Sequence, residues 1–247
     1  MIVTLLKKDL KLLAYSPFIW LYLCLFQFIS TWIYFIHIDQ FMATQTQMIA
    51  SNALYTVSDR IVIPFFKSMG LVSTLFLPFI TMSLISKEKQ QKTFTLLSAS
   101  PITLFQVTFS KLLTAISIIF VMTMLLSIMI ALLTLGTNIN LRLLLTCSVA
   151  FILLNTAIAS MGLFLSSLTR QPIIAGLATL GFLLLTILFG WNAENTDTLL
   201  KSISLHTHYN ALLSHIINTS HIVYLLVFTL LMFGWSLFKL SSESWRQ

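Results

Sequence analysis

Charged residues are scarce in this chain, and their scarcity excludes an ordinary soluble domain. Only 9% of the 247 residues are Asp, Glu, Lys or Arg, whereas about 25% is usual in soluble domains. Hydrophobic residues make up 57% of the chain and include 20 phenylalanines. There are two cysteines, Cys24 and Cys147, and because they lie in different apolar segments we interpret them as small apolar side chains rather than a disulfide. The composition therefore indicates an integral membrane protein.

The sequence also lacks the motifs of nucleotide hydrolases and of common hydrolytic enzymes. None of the seven glycines belongs to a GxxxxGK[ST] phosphate loop, and HExxH, CxxC and GxSxG are absent. Four carboxylates fall in predicted outer loops: Asp39, Asp59, Glu194 and Asp197. They are not paired within apolar segments, where a membrane enzyme would place its acid and base. We therefore expect no catalytic residues and no nucleotide hydrolysis in this chain.

Long apolar runs are what the sequence has instead. Six of them approach or exceed the roughly 20 residues that a helix needs to cross a bilayer. These runs are residues 18–38, 61–85, 112–135, 143–168, 173–191 and 222–240. Their length and their lack of strict alternation predict helices rather than barrel strands. No soluble segment of domain size separates them, so we predict an all-α integral membrane protein with six transmembrane helices in a single domain, residues 1–247.

Basic residues predict the orientation of these helices, because cytoplasmic loops carry more Lys and Arg than outer loops. With both termini on the same side, most of the 14 basic residues fall inside: Lys7, Lys8, Lys11, Lys87, Lys89, Lys92, Lys111, Arg170, Lys239 and Arg246. The remainder fall outside: Arg60, Lys67, Arg142 and Lys201. We therefore predict cytoplasmic termini in a cytoplasmic (inner) membrane. The net charge of +7 then indicates contact with anionic membrane lipid and not with nucleic acid.

Two segments outside the apolar runs combine charge with apolar residues. The first, LLKKDLKLLAYSPF, sets charged residues among leucines and breaks at a Ser-Pro pair: Lys7, Lys8, Asp9, Lys11, Ser16 and Pro17. This pattern predicts an amphipathic elbow helix in the membrane interface, and an ordinary basic flank is the alternative. The second segment, residues 87–111, has the sequence KEKQQKTFTLLSASPITLFQVTFSK. It predicts a docking surface between the second and third membrane helices.

Histidines cluster in the last outer loop, at His206, His208, His215 and His221. An HxH pair followed by further histidines could bind zinc or copper. Nothing in the spacing defines a three-dimensional site, however, so we expect no metal site. The mixed apolar and polar residues favour short helices that dip into the outer interface and return, a re-entrant-like loop before the last membrane helix.

Four blocks, in their order along the chain, resemble the ABC transporter type 2 permeases. Within that family they are most similar to the gliding-motility and nitrous-oxide-reductase-maturation branch. LKKDLKLLAYSPFIW resembles the family's charged elbow, and GLFLSSLTRQPIIA resembles the turn between the fourth and fifth helices. SLHTHYNALLSHIINTSHIVYL resembles its last outer loop, with His208 and Tyr209 at the place of a His-Phe pair. TMSLISKEKQQKTFTLLSASPITLFQVTFSK resembles its hallmark cytoplasmic loop, whose matching residues are Glu88, Thr93, Leu96, Leu97, Pro101 and Lys111.

The chain departs from the family pattern at three positions. Lys92 and His215 stand where the family usually has glycine, and Thr95 stands where it usually has glutamate. These departures leave assembly with an ATPase as the expectation, but they weaken any transfer of substrate chemistry from the family to this chain.

The resemblance implies the permease subunit of an ABC exporter that holds no cofactor of its own. ATP and Mg²⁺ would bind to partner ABC ATPase subunits, and a short cytosolic coupling helix at residues 93–100 would dock on those subunits beside the elbow. A second permease half, identical or related, would complete the path, and the outer loop with His208 and Tyr209 would cover it. Two alternatives remain. One is a membrane-embedded metal-dependent enzyme that uses the outer histidines, and the other is a non-transporting envelope anchor driven by an ATPase.

Overall fold

The computed structural model describes residues 2–50, 58–91, 103–135, 140–192, 204–214 and 218–244. These residues form α-helices joined by short turns, and no strand occurs among them. The helices are α1 Ile2–Ala14, α2 Pro17–Ala50, α3 Ile63–Thr81, α4 Ser86–Gln90, α5 Leu104–Ala131, α6 Leu141–Leu168, α7 Pro172–Asn192, α8 Leu205–Leu213 and α9 Thr219–Ser244. A π-helical turn, Ser58–Val62, leads into α3, and a 3-10 turn, Leu132–Leu135, follows α5.

Six helical stretches are long and apolar enough to cross a membrane. They are Pro17–Ala43, Arg60–Gln90, Leu104–Ala131, Leu141–Leu168, Pro172–Gly190 and Thr219–Ser242. Each coincides with one of the six apolar runs of the sequence. The prediction of an all-α membrane protein with six spanning helices is therefore confirmed.

Two helix boundaries differ from the predicted ones by eight or more residues. Helix α2 continues to Ala50, well past the predicted end at residue 38, and its 34 residues span about 51 Å at 1.5 Å per residue. Helix α5 begins at Leu104 rather than at residue 112, because the Thr103 hydroxyl caps it by accepting a hydrogen bond from the Gln106 N–H at 3.4 Å. The predicted start of this helix after Lys111 was therefore wrong. Lys111 lies in the second turn of a membrane helix.

Helix α6 is the centre of the bundle. In its most hydrophobic stretch 67% of the residues are buried, against 28% in α2, 28% in α7 and 17% in α9. It packs against α3, α5, α7, α8 and α9. At Gly162 a side-chain Cβ would lie 2.1 Å from Thr81 Oγ1, so the backbones of α3 and α6 approach closely at this point.

Helix α1 occupies the segment for which an amphipathic helix was predicted. It packs mainly against α5 and ends at Ala14, just before the Ser16–Pro17 junction with α2. Its leucines are half-buried or exposed, and the buried side chain is Asp9. A carboxylate buried in this way requires a cationic partner.

Candidate functional site

Lys111 joins three segments that are distant in the sequence. From α5 its ammonium Nζ lies 3.1 Å from Asp9 Oδ2 on α1 and 2.6 Å from Glu88 Oε1 on α4. The side chains of Lys111, Asp9 and Glu88 are only 11%, 10% and 19% exposed, respectively. The sequence pointed to each of these residues separately, and the structure brings them together as one ionic triad.

The triad pairs one positive charge with two carboxylates in a largely dry setting. Lys111 donates to both, which offsets the cost of burying each carboxylate. Removing the lysine would take away the cation that Asp9 and Glu88 share. The side chain of Glu88 therefore points into the protein.

A turn at residues 82–85 separates α3 from α4, and Ser166 on α6 holds this turn. The Ser166 hydroxyl accepts hydrogen bonds from the backbone N–H groups of Ile85 at 3.1 Å and Ser86 at 3.0 Å. It donates to the Met82 carbonyl at 3.0 Å. A single buried side chain thus accepts from the N–H groups at the start of α4 and donates to a carbonyl at the end of α3, groups that the helix ends leave without helical partners.

Helix α4 has a second contact with α6. The Lys89 ammonium donates to the backbone carbonyl of Ser167, in the last turn of α6, where a cation also interacts favourably with the helix dipole. Together with the triad and Ser166, this contact ties α4 to α1, α5 and α6.

The predicted coupling residues divide into two groups. Glu88 and Lys111 lie on either side of residues 92–102 and contact each other. Thr93, Leu96, Leu97 and Pro101, with the predicted coupling helix at residues 93–100, lie outside the described residues. This ion pair therefore links α4, which precedes the segment, to the second turn of α5, which follows it.

The predicted elbow residues also divide. Lys7, Lys8 and Lys11 are exposed, in contrast to the buried Asp9. Pro17 is the first residue of α2, a position where the missing N–H of proline costs nothing. The Trp20 indole donates to the Ala14 carbonyl at 2.8 Å, which fixes the bend between α1 and α2.

At the other end of the bundle, α8 packs against α3, α6, α7 and α9. Tyr209 on α8 is fully buried, and its hydroxyl donates to the Phe66 carbonyl on α3 at 2.6 Å. Gly70 makes room for the ring, because a Cβ there would lie 2.4 Å from Tyr209 Cε1. Tyr209 is therefore a core residue and does not rest on lipid headgroups.

The outer histidines do not form one cluster. His206 is 7% exposed, its ring lies 6.1 Å from that of Tyr209, and burial lowers the pKa of His206 to about 4. His208 stacks on Tyr224 at 3.9 Å and its Nδ1 lies 2.7 Å from His221 Nδ1. His215 lies outside the described residues. Among the residues that the structure describes, no group of three or more His, Cys, Asp or Glu side chains could hold a metal ion.

Sequence reasoning missed the contacts that hold α4 in place. Ser166 bonds to the backbone of Met82, Ile85 and Ser86, and none of these contacts was predicted from the sequence. In the sequence, Ser166 is a small polar residue near the end of an apolar helix, and this pattern does not identify the residues that it contacts.

A family model described as "ABC-2 family transporter protein" matches residues 3–245, nearly the whole chain. No curated protein matches the chain.

Proposed function

The chain belongs to the ABC-2 transporter family, and we propose that it is the permease subunit of an exporter driven by separate ABC ATPase subunits. ATP and Mg²⁺ bind to those subunits, and this chain contributes the membrane path and the surface on which they dock. The observation that carries the proposal is the ion pair between Glu88 and Lys111. It links α4 to the second turn of α5, the helices that precede and follow residues 92–102, the segment expected to contact the ATPase.

A docking segment transmits motion only if its ends are rigidly attached. Here the residues before the segment are held to α6 by Ser166 and Lys89, and the helix after it is held to α1 by Asp9 and Lys111. A displacement of residues 92–102 would therefore move α1, α3, α5 and α6 as a group. This is the behaviour required for a domain rearrangement that opens a membrane path in response to nucleotide.

A second permease half completes the path, either as a copy of this chain or as a related one. Family membership supports this assembly, together with the weak burial of α2, α7 and α9, whose apolar faces stay available to lipid or to another subunit. The gliding-motility and nitrous-oxide-reductase-maturation permeases are the branch that its motifs most resemble. In this assembly α8 covers the outer end of the path.

Cross-linking to the ATPase tests the docking surface. In a background lacking Cys24 and Cys147, a Leu97→Cys variant is co-expressed with the ABC ATPase encoded nearest to its gene and treated with a heterobifunctional reagent that joins its thiol to lysine amines of the ATPase. We expect cross-linking from position 97 and none from Ser214→Cys, an exposed position at the far end of the bundle. An assembled complex that cross-links from position 214, or from neither position, would contradict the proposal.

Thiol labelling in whole cells tests the orientation independently. Gln90 and Ser214 are both exposed, and they lie near opposite ends of the bundle. With cytoplasmic termini in the inner membrane, a membrane-impermeant reagent should label Ser214→Cys once the outer envelope is opened. Gln90→Cys should react only after the inner membrane is opened as well. The reverse order of labelling would overturn the orientation.

A further inference from the structure

A groove of about 630 Å³ opens between α1, the start of α2, the end of α3, α4 and α5. The ionic triad forms part of its lining. The remaining lining combines two further lysines, Lys8 and Lys87, with apolar side chains that include Leu12, Phe18 and Phe79. The volume lies within the range of ligand-binding clefts.

The acidic and the basic residues of the groove differ in their ion pairing. Both of its carboxylates, Asp9 and Glu88, contact Lys111. Lys8 and Lys87 are exposed, and neither pairs with a carboxylate among the described residues. The lining therefore presents two ammonium groups that face solvent, and three lysines against two acids leave it with a net positive charge.

The apolar part of the groove lies beside these ammonium groups. Leu12, Phe18 and Phe79 are 62%, 52% and 48% exposed, and Phe18 and Phe79 belong to the ends of two spanning helices. The apolar surface continues along α2 through Leu21 and Leu25, which are also exposed. Cationic groups next to apolar surface at the end of a spanning helix match the boundary between headgroups and acyl chains.

We propose that this groove binds one anionic phospholipid. Its phosphate lies between Lys8 and Lys87, and an acyl chain runs over Phe18 and Phe79 onto the exposed face of α2. A water-soluble phosphate compound would leave the apolar surface uncovered, and a zwitterionic lipid would gain less from the two lysines. The inference needs only that the helices cross a membrane, so it stands apart from the proposed ATPase coupling.

The bound lipid would contact α1, α2, α3 and α4 around the triad. It would therefore add to the contacts that keep α1 against the spanning helices. Anionic lipid should then raise the thermal stability of the protein as well as bind to it.

Lipid titration of the purified full-length chain in neutral detergent tests the proposal. The probes are phosphatidylglycerol and phosphatidylcholine with identical acyl chains, followed by native mass spectrometry and by the unfolding temperature. We expect phosphatidylglycerol to bind about thirtyfold more tightly, since each lysine near an anionic lipid contributes roughly fivefold. Equal binding of the two lipids would overturn the proposal.

Two double variants distinguish lipid binding in the groove from lipid binding by general surface charge. Lys8→Gln with Lys87→Gln should abolish most of the preference for phosphatidylglycerol. Lys7→Gln with Lys11→Gln removes the same charge from exposed residues that do not line the groove, and it should keep the preference. Equal losses in both variants would show binding by unspecific charge and overturn the site.

A third measurement distinguishes the lipid from a soluble phosphate. Glycerol phosphate in millimolar excess should not displace phosphatidylglycerol from the wild-type protein. If it does, the apolar surface contributes nothing and the occupant is a soluble anion.

Discussion

The Glu88 carboxylate and the Lys111 ammonium lie 2.6 Å apart, one on each side of residues 92–102. This ion pair fixes the separation of α4 and α5 at the place where an ATPase is proposed to dock. Asp9 adds α1 to the same contact at 3.1 Å from Lys111. Any change in the position of one of these helices must therefore either move the other two or break an ion pair.

Loss of the central cation should destabilise the protein. Lys111→Met removes the cation that two largely buried carboxylates share, and we expect a cost of about 2 to 4 kcal/mol, visible as a lower unfolding temperature in detergent. The triple variant Lys111→Met, Asp9→Asn, Glu88→Gln removes all three charges and should recover most of the loss. If the triple variant is no more stable than the single one, loss of charge pairing is not the reason for the destabilisation by Lys111→Met.

Removal of the Ser166 hydroxyl should weaken the attachment of α4. Ser166→Ala leaves the Ile85 and Ser86 N–H groups without their acceptor, at a cost of about 1 to 3 kcal/mol. In complex with the ATPase, this variant should assemble but stimulate ATP hydrolysis less. Ser160→Ala, which loses only a bond to the Ala157 carbonyl of its own helix, is the matched control and should behave as wild type in both assays.

Close packing between α3 and α6 depends on Gly162. An added Cβ would lie 2.5 Å from Thr81 Cβ, so Gly162→Ala should cost about 1 to 3 kcal/mol through overpacking. Gly234→Ala on α9 places its methyl group in open space and should be neutral or slightly stabilising. Comparing the two unfolding temperatures checks the prediction, which fails if the substitutions have the same effect.

The hydroxyl of Tyr209 should contribute to stability through one buried hydrogen bond. Tyr209→Phe keeps the ring beside Gly70 but leaves the Phe66 carbonyl without this donor, so we expect a loss of about 1 to 2 kcal/mol. In transport measurements, the variant to compare with Tyr209→Phe is His208→Phe, which retains an aromatic ring against Tyr224. A Tyr209→Phe variant as stable as wild type would argue against the observed packing of α8.

His206 should make stability depend on pH. Its pKa falls from 6.5 to about 4 in the folded protein because of burial, so between these values the unfolded chain binds a proton that the folded chain does not. Stability is therefore full above pH 6.5 and decreases as the pH falls towards 4. We expect a loss of about 2 kcal/mol between pH 7.5 and pH 5.

His206→Phe should remove most of this pH dependence, measured as the unfolding temperature across the same range. A pH dependence that persists unchanged in His206→Phe would contradict this prediction.

The spanning helices were predictable because the free energy of membrane insertion depends on local sequence. Each apolar run carries its own signal, and all six are found as helices. The start of α5 was missed because the apolar pattern weakens between Leu104 and Lys111, although Thr103 and its capping bond mark the true beginning. The boundary depended on one side chain rather than on average hydropathy.

The site was less predictable because its contacts are non-local. Asp9, Glu88 and Lys111 were each singled out from the sequence, but no periodicity relates residues on three different helices. Tyr209 illustrates the same limit. Its neighbours His206, His208 and Asn210 suggested an interfacial segment, whereas the decisive partner, Phe66, comes from a distant helix.

The order of the triad along the chain has a consequence for synthesis. Asp9 is made about a hundred residues before Lys111, which corresponds to roughly 5 to 20 seconds of translation. During that interval α1 has no cation on α5 to hold it, so its amphipathic side must remain at the membrane surface. Lys111 then enters the bilayer after both of its carboxylates have been made. Docking of the first helix is thus a late event in the biogenesis of this protein, completed only when the third membrane span has been inserted.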